Sequence, residues 1–211
     1  PDEGTGQTPD DHTSTFQLKT GVAIYGGFAG TETTRTQRNW ETNITGLSGD
    51  IDHDNGNADS NKDTNGIIPA ISDIVGNNAY HVVTGSGTDS TALLDGVTIN
   101  AGKAHDGGIS CPNNCGGGIY NDAGSPTLTN VTITANSADV FGGGMFNGNS
   151  SNPALKNMMI WNNQAQNSTT STSASIANFS SNPTISDSLI ANSRNGSGAW
   201  RTALGTDDGN N

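Results

Sequence analysis

The second half of the sequence repeats itself, and this repeat constrains the fold more than any other feature. Three prolines anchor the copies and lie 27 and 30 positions apart: Pro126, Pro153 and Pro183. Two apolar residues follow each proline at fixed spacing: Leu128 and Ile133, Leu155 and Ile160, Ile185 and Ile190. An earlier copy without the proline has Leu94 and Ile99 in the same positions. A period of this length is typical of solenoids, in which each repeat forms one structural unit.

Each copy contains two short strand patterns. Apolar and polar residues alternate over 131–133, which is the period of a short β-strand, and the equivalent triplets are 97–99, 158–160 and 188–190. Leu128 and Val131 cannot share one face of a strand, so the pattern predicts a kink between them. A second strand is predicted at residues 118–120, 144–146 and 175–177. Strands this short bury a face only when successive copies stack at about 4.8 Å.

The sequence therefore predicts an all-β fold, a right-handed parallel β-helix with about 27 residues per coil in the clearest repeats. The handedness follows from the general preference for right-handed crossovers. Gly, Asn and Ser suit the corners because they tolerate left-handed backbone angles. Asparagines at equivalent positions are expected to form ladders: Asn121, Asn147 and Asn178, and Asn136 and Asn163.

We predict one β-helix domain over residues 1–211. The clear repeats cover 92–200, and less regular coils cover 15–91, with an acidic insertion at 50–66. The chain has the character of a segment of a longer protein. No stretch of 18 apolar residues occurs, so no membrane insertion of this segment is expected.

The composition alone would indicate disorder. Gly, Asn, Thr and Ser supply 103 of the 211 residues, Leu, Ile, Val and Phe supply 35, and the net charge is −12. A solenoid of stacked coils is nevertheless compatible with this composition, because each coil needs only a few inward apolar residues. The same composition excludes a helical bundle. Nucleic acid is excluded as a partner, because 20 acidic residues against 8 basic ones would repel phosphates.

The two cysteines, Cys111 and Cys115, flank a short Pro-Asn-Asn segment. Their proximity favours a small disulfide, which suits an oxidising, extracellular compartment. Free thiols are the first alternative. A metal site is the second, although it would need two more soft ligands and the sequence has none nearby.

Two tetrapeptides of the repeat resemble those of the chlamydial polymorphic outer-membrane proteins. The Gly-Gly-Ala-Ile type is similar to residues 117–119 and 143–145, and the Phe-x-x-Asn type is similar to 133–136 and 160–163, with Ile in place of Phe. More broadly, residues 25–51 followed by 78–83 look like large secreted bacterial β-helix proteins. The resemblance implies a β-helix fold, a location outside the cell or at its surface, and adhesion.

The acidic stretch 50–66 contains candidate calcium ligands. Alternate acidic side chains followed by a turn with Gly can direct several oxygens to one hard cation. Residues 61–66 match the first half of an Asp-x-Asp-x-Asn-Gly loop, but Ser72 replaces the Glu of an EF-hand. A solvated acidic insertion without an ion is the alternative. The candidate ligands are Asp50, Asp52, Asp54, Asp59 and Asp63.

One aromatic residue of the repeat is a candidate contact for a ligand. Trp161 follows the inward Ile160, so it should point outward, where it could stack on a sugar ring or bind a partner. The alternative is that residues 164–174 fold over it. Other outward positions carry mostly Thr, Asn, Ser and Met, so no catalytic residues are predicted, and a polysaccharide lyase or glycosidase is disfavoured.

These features predict a secreted or cell-surface bacterial protein with a structural or adhesive role. The repeat shows no polar helical cap, so open strand edges are expected to favour self-association end to end into extracellular fibres. The alternative function is a carbohydrate-binding or polysaccharide-processing β-helix with surface glycans as partners.

Overall fold

The computed structural model describes residues 8, 10–52, 59–166, 175–191 and 206–207. Among these residues, no helix is long and apolar enough to cross a membrane. The strands form five successive coils. Coil 1 contains β1 (Phe16–Gln17), β2 (Ala23–Tyr25) and β3 (Gly46–Ser48), and coil 2 contains β4 (Val83–Thr84), β5 (Leu93–Asp95), β6 (Thr98–Asn100) and β7 (Lys103–Ala104).

The later coils repeat this order. Coil 3 contains β8 (Ile119–Asp122), β9 (Thr127–Thr129), β10 (Thr132–Thr134) and β11 (Ser137–Ala138), and coil 4 contains β12 (Met145–Gly148), β13 (Ala154–Lys156), β14 (Met159–Trp161) and β15 (Gln164–Ala165). Coil 5 contains β16 (Ile176–Asn178), β17 (Thr184–Ser186) and β18 (Leu189–Ile190), and β19 (Thr206–Asp207) follows. Two 3₁₀-helices lie within the connections of the first coils: Arg35–Gln37 and Ile71–Asp73.

Equivalent strands of successive coils pair in parallel and form four sheets. Sheet 1 has the order β1-β4-β8-β12-β16, sheet 2 has β2-β5-β9-β13-β17-β19, sheet 3 has β3-β6-β10-β14-β18, and sheet 4 has β7-β11-β15. Each strand therefore lies beside its equivalent in the next coil, with side chains of equivalent positions in register. This arrangement is a parallel β-helix, so the predicted fold class is confirmed.

Coil length varies along the molecule. Stacked positions are 27 residues apart between coils 3 and 4, as the repeat predicted, and 30 apart between coils 4 and 5. They are 34 apart between coils 2 and 3. Between coils 1 and 2 they are 70 apart in sheet 2 and 52 apart in sheet 3. Two connections account for the long first coil, and we call them the first excursion (26–45) and the second excursion (49–82). The acidic stretch belongs to the second excursion.

The inward residues form one continuous core along the axis. In sheet 3, Ile99, Ile133 and Ile160 lie in register, and each is fully buried. Sheet 2 contributes the row Leu94, Leu128 and Leu155 in the same way. In β14 the middle residue, Ile160, is buried, whereas Met159 and Trp161 on either side of it point outward and are exposed. The alternation inferred from the sequence therefore corresponds to the inside and outside of the solenoid.

Corners of the coils use left-handed backbone angles at equivalent positions. The predicted kink between Leu128 and Val131 falls at Asn130, which has a φ of 53°. The equivalent residue in the next coil, Asn157, has a φ of 51°. At the following corner, however, Ala101 and Ala135 have φ values of 63° and 51°. A left-handed backbone angle carries some strain for alanine. Both alanines contact the second excursion, and this contact explains why a small apolar side chain is found at the corner.

Paired glycines allow the main chains of neighbouring coils to approach closely. A Cβ atom added to Gly117 would lie 2.2 Å from the Ser137 carbonyl oxygen, and one added to Gly143 would lie 2.0 Å from the Gln164 carbonyl oxygen. The second glycine of the first pair is enclosed as well, because a Cβ atom added to Gly118 would lie 2.5 Å from the Gly144 carbonyl oxygen. The Gly-Gly dipeptide thus recurs because no side chain fits immediately before these strands of sheet 1.

Two asparagine ladders link the coils inside the solenoid. In sheet 1 the Asn121 amide donates to the Asn147 side-chain oxygen at 2.8 Å, and Asn147 donates to Asn178 at 2.8 Å. In the second ladder, Asn136 donates to the Asn163 side-chain oxygen at 3.0 Å and to the Ile99 carbonyl oxygen. The predicted ladders are therefore present. In the second ladder, Asn136 and Asn163 also bond main-chain groups that an apolar side chain would leave unpaired.

Leu155→Ala tests the inward row. The side chain is 2% exposed, so its truncation should lower the free energy of unfolding by about 2–5 kcal/mol. Lys156→Ala, at the adjacent exposed position, should change it by less than about 0.5 kcal/mol. Urea denaturation followed by circular dichroism measures both values, and equal effects of the two substitutions would contradict the assigned alternation.

Candidate functional site

The five candidate calcium ligands do not form one site. Asp63 accepts hydrogen bonds from the main-chain N–H groups of Asn65 at 2.8 Å and Ile67 at 2.9 Å, so its exposed carboxylate holds its own turn. Those main-chain donors lower the pKa of Asp63. Asp54 lies outside the described residues. The other three, Asp50, Asp52 and Asp59, lie near the base of the second excursion.

Asp50 and Asp59 lie beside Asn78, which is not among the predicted ligands, and Asp52 contacts the preceding residue. Asp50 and Asn78 face each other across an antiparallel bridge, so their side chains lie on one side of it. Asn78 donates its side-chain amide to Asp59 at 3.0 Å. Asp52 accepts the Asn77 N–H at 2.8 Å. Lys62 adds one positive charge, because its ammonium donates to Asp50 Oδ2 at 2.5 Å.

Burial disfavours the charged forms of two of these carboxyls. Burial raises the pKa of Asp59 to about 6, and the nearby negative charge of Asp50 acts in the same direction. Burial also raises the pKa of Asp52, and the adjacent Asp50 carboxyl raises it further. Three oxygens here are buried and have no hydrogen-bond partner: Asp50 Oδ1, Asp52 Oδ1 and Asn78 Oδ1. No three His, Cys, Asp or Glu side chains in the described part of the chain converge on one possible metal position.

Trp161 lies on the outer face of sheet 3, at the end of β14. Its side chain is 42% exposed, and the Met159 side chain on the same face is 46% exposed. The next residue, Asn162, donates its side-chain amide to the Pro69 carbonyl oxygen of the second excursion at 3.0 Å. The outward orientation therefore agrees with the strand pattern. Its use as a contact for a ligand or partner stays a prediction.

A groove of about 320 Å³ runs along the outer face of sheet 3 and the corner beside it. Its floor carries the hydroxyls of Thr98 and Thr132 and then the apolar side chains of Met159 and Leu189. Asn130, Asn157 and Asp187 line the corner, one from each of three successive coils. Three residues of the first excursion line it as well: Trp40, Glu41 and Ile44.

An ion pair positions Trp40 at this groove. The Arg38 guanidinium lies 4.8 Å from the centre of the Trp40 ring and donates to Asp95 Oδ2 at 2.5 Å. Both charged side chains are about nine-tenths buried, so the pair is strongly shielded from solvent. Asn130 donates to the other oxygen of Asp95 at 2.7 Å. The sequence analysis missed Trp40 because the first excursion does not repeat.

A disulfide and an aromatic stack cover the outer face of sheet 1. Cys111 and Cys115 are bonded to each other, with their Cα atoms 5.2 Å apart. Cys115 packs with Phe146 and Tyr120 in a second apolar cluster outside the solenoid. The Tyr120 ring stacks on Phe146 at 5.3 Å and on His81 at 4.7 Å. This cluster accounts for apolar residues that the inward rows do not use, so we assign it a structural role.

His81 is the strongest pH-sensitive group of this cluster. Its Nδ1 lies 3.0 Å from the Gly116 carbonyl oxygen, to which the neutral ring donates a hydrogen bond. Burial lowers the pKa of His81 to about 4. The folded state therefore favours the neutral ring, and unfolding takes up a proton at mildly acidic pH.

His81→Phe tests this coupling. The stabilising effect of a neutral His81 is complete above pH 6.5 and is lost as the pH falls toward 4, by at most about 3 kcal/mol. Asp59 acts in the opposite sense over a similar range, because its raised pKa favours the folded state at low pH. The difference between wild type and His81→Phe in urea unfolding at pH 4–7 isolates the histidine. Parallel stability curves for the two proteins would contradict the assignment.

No family model matches the chain, and no curated protein or solved structure has significant similarity to it.

Proposed function

We propose that this chain is a structural and adhesive β-helix of a bacterial surface, secreted or held at the cell surface, which joins to further coils end to end. One observation carries the proposal: two inward apolar residues of coil 1, Phe16 and Ile24, are exposed at the end of the described solenoid. The resemblance of the tetrapeptides at 117–119 and 133–136 to chlamydial outer-membrane protein repeats supports the surface location. The disulfide between Cys111 and Cys115 is compatible with an oxidising compartment.

The open end is defined by residues that occupy inward positions. Ile24 lies in register with Leu94, which continues the inward row of sheet 2. Leu94 is fully buried, whereas Ile24 is 38% exposed. Phe16 lies in register with the buried Val83 of sheet 1 and is 36% exposed. These side chains point into the solenoid interior, and their exposure results from the lack of another described coil beneath coil 1.

The strand edges at this end also favour addition of a coil. β1, β2 and β3 are each the first strand of their sheet, so one edge of each strand has no partner strand among the described residues. Unpaired main-chain groups beside an apolar surface favour pairing with another strand. The matching occupant is a coil built like coil 2, in which β4, β5 and β6 each carry one inward apolar residue. A second copy of this chain supplies such coils.

Ile24→Lys tests the end-to-end contact. A charge at the inward position should prevent another coil from stacking, so this variant should stay monomeric at concentrations where the wild type forms larger assemblies. Ala23→Lys is the matched control, because residue 23 is also exposed but points outward. Sedimentation velocity over a range of concentrations measures both.

Two results would contradict the contact. One is a wild-type chain that remains monomeric at millimolar concentration, and the other is an equal loss of association in Ala23→Lys. Circular dichroism of each variant establishes that the β-structure is retained.

A second candidate function is glycan binding, and the groove on sheet 3 favours it. The groove combines an aromatic ring at Trp40 with hydroxyl and amide side chains, and the exposed Trp161 lies beyond Met159 on the same sheet. Aromatic faces and polar side chains are a combination that can bind sugar rings. Glu41 and Asp187 make the groove acidic, which favours a neutral glycan over a uronate.

Trp161→Ala tests this second candidate. If Trp161 stacks on a sugar, affinity for a neutral glycan selected on a glycan array should fall about tenfold, which corresponds to about 1.4 kcal/mol. Ile109→Ala removes an even more exposed apolar side chain from the loop that carries the disulfide and should leave affinity unchanged. The hypothesis is rejected if the wild type binds no neutral glycan or if Trp161→Ala binds as tightly as the wild type.

A further inference from the structure

We propose that Asp50, Asp52 and Asn78 bind a divalent cation of the calcium type at the base of the second excursion. Each residue contributes a buried oxygen that has no hydrogen-bond partner. This site is independent of the end-to-end contact and of the glycan groove. Of the five predicted calcium ligands, this site uses only Asp50 and Asp52. It adds the amide oxygen of Asn78, which lies outside the acidic stretch.

The burial of these oxygens is the first argument. The side chain of Asp50 is 6% exposed, and Asp52 and Asn78 are 5% and 1% exposed. A buried carboxylate oxygen without a donor is strongly disfavoured, so it needs a proton or a cation. Three such oxygens occur here among only five buried side-chain atoms without partners in the described residues. Their grouping indicates one common ligand.

The arrangement of donors is the second argument. Asn78 directs its amide nitrogen to Asp59 and to the Ala101 carbonyl oxygen, which leaves its oxygen as the free atom. The Lys62 ammonium and the Asn77 N–H already occupy the Oδ2 atoms of Asp50 and Asp52. The hydrogen bonds of the excursion therefore use one oxygen of each carboxylate and leave the other oxygen unused.

The chemistry of the ligands selects the class of cation. The three ligands, two carboxylates and one amide, are all hard oxygen donors, which favour calcium or magnesium over zinc and copper. Calcium tolerates an irregular set of oxygens completed by water, whereas magnesium requires nearly ideal octahedral geometry. A site with only two carboxylates agrees with the absence of a three-residue metal cluster in the described chain. We expect a dissociation constant of about 0.1–1 mM, as in extracellular calcium modules.

The position of the site gives the cation a structural role. Asp50 and Asp52 follow β3 of coil 1, and Asn78 precedes β4 of coil 2, so the cation would join the two ends of the second excursion. Between these ends, Ile68 packs against the corner residues Ala101 and Ala135. A bound cation would therefore hold this packed segment against coils 2 and 3.

The test measures calcium binding to the whole chain. Isothermal titration with calcium chloride at pH 7.5 should give saturable binding, and 5 mM calcium should raise the melting temperature by about 2–5 °C relative to EDTA. Asp52→Asn preserves the shape of the side chain and removes one ligand charge, so it should weaken calcium affinity at least tenfold. Asp63→Asn is the control, because it removes an acid of the same excursion that caps its own turn.

The alternatives give different results. If a shared proton satisfies the two carboxylates, calcium will not bind below about 10 mM, and Asp52→Asn will raise the melting temperature in EDTA; this result overturns the proposal. Loss of calcium binding in Asp63→Asn with retention in Asp52→Asn also overturns it. An equal thermal shift with magnesium would overturn the assignment to calcium.

Discussion

The parallel main-chain pairing between successive coils is the interaction on which the rest of the structure depends. Because neighbouring strands lie in register, each position of a coil is stacked on its equivalent in the next, as Ile133 is on Ile160. An inward position must therefore be apolar or must belong to an amide ladder, as Asn147 does. Where two main chains meet closely, as at Gly117 and Gly143, only glycine fits. A low proportion of apolar residues is sufficient because each coil adds only a few inward residues to rows that continue through the solenoid.

The same stacking explains what the sequence could predict. The repeat after residue 92 indicated the strands, the inward rows, the kink at Asn130 and the ladders, because stacked positions recur in the chain. Residues 15–91 could not be interpreted in this way, since coils 1 and 2 differ by two long excursions. Trp40 and Asn78 were missed for this reason. Neither residue recurs in the repeat, and the surroundings of each residue depend on where its excursion packs.

The excursions add chemistry that the coils cannot provide. Within a coil, an outward side chain has an equivalent neighbour about 4.8 Å above and below it, so rows of threonine and asparagine result. The first excursion brings Arg38 to Asp95 and thereby positions an aromatic ring at the groove. The second brings carboxylates to Asn78. Both excursions leave coil 1, which makes the beginning of the described solenoid the least repetitive and chemically richest part.

The charge of the chain favours one direction of association. A net charge of −12 makes the sides of two copies repel each other, although salt screens this repulsion beyond about 8 Å at physiological ionic strength. At the open end, by contrast, Phe16 and Ile24 offer an apolar surface beside unpaired strand edges. Burial of these side chains would stabilise contact along the axis, where main-chain pairing adds a directional component. Contact through the sides would also bury apolar side chains, such as those of Met159 and Leu189, but without main-chain pairing between strands. In the proposed end-to-end contact, main-chain pairing is therefore the interaction that distinguishes axial association from association through the sides.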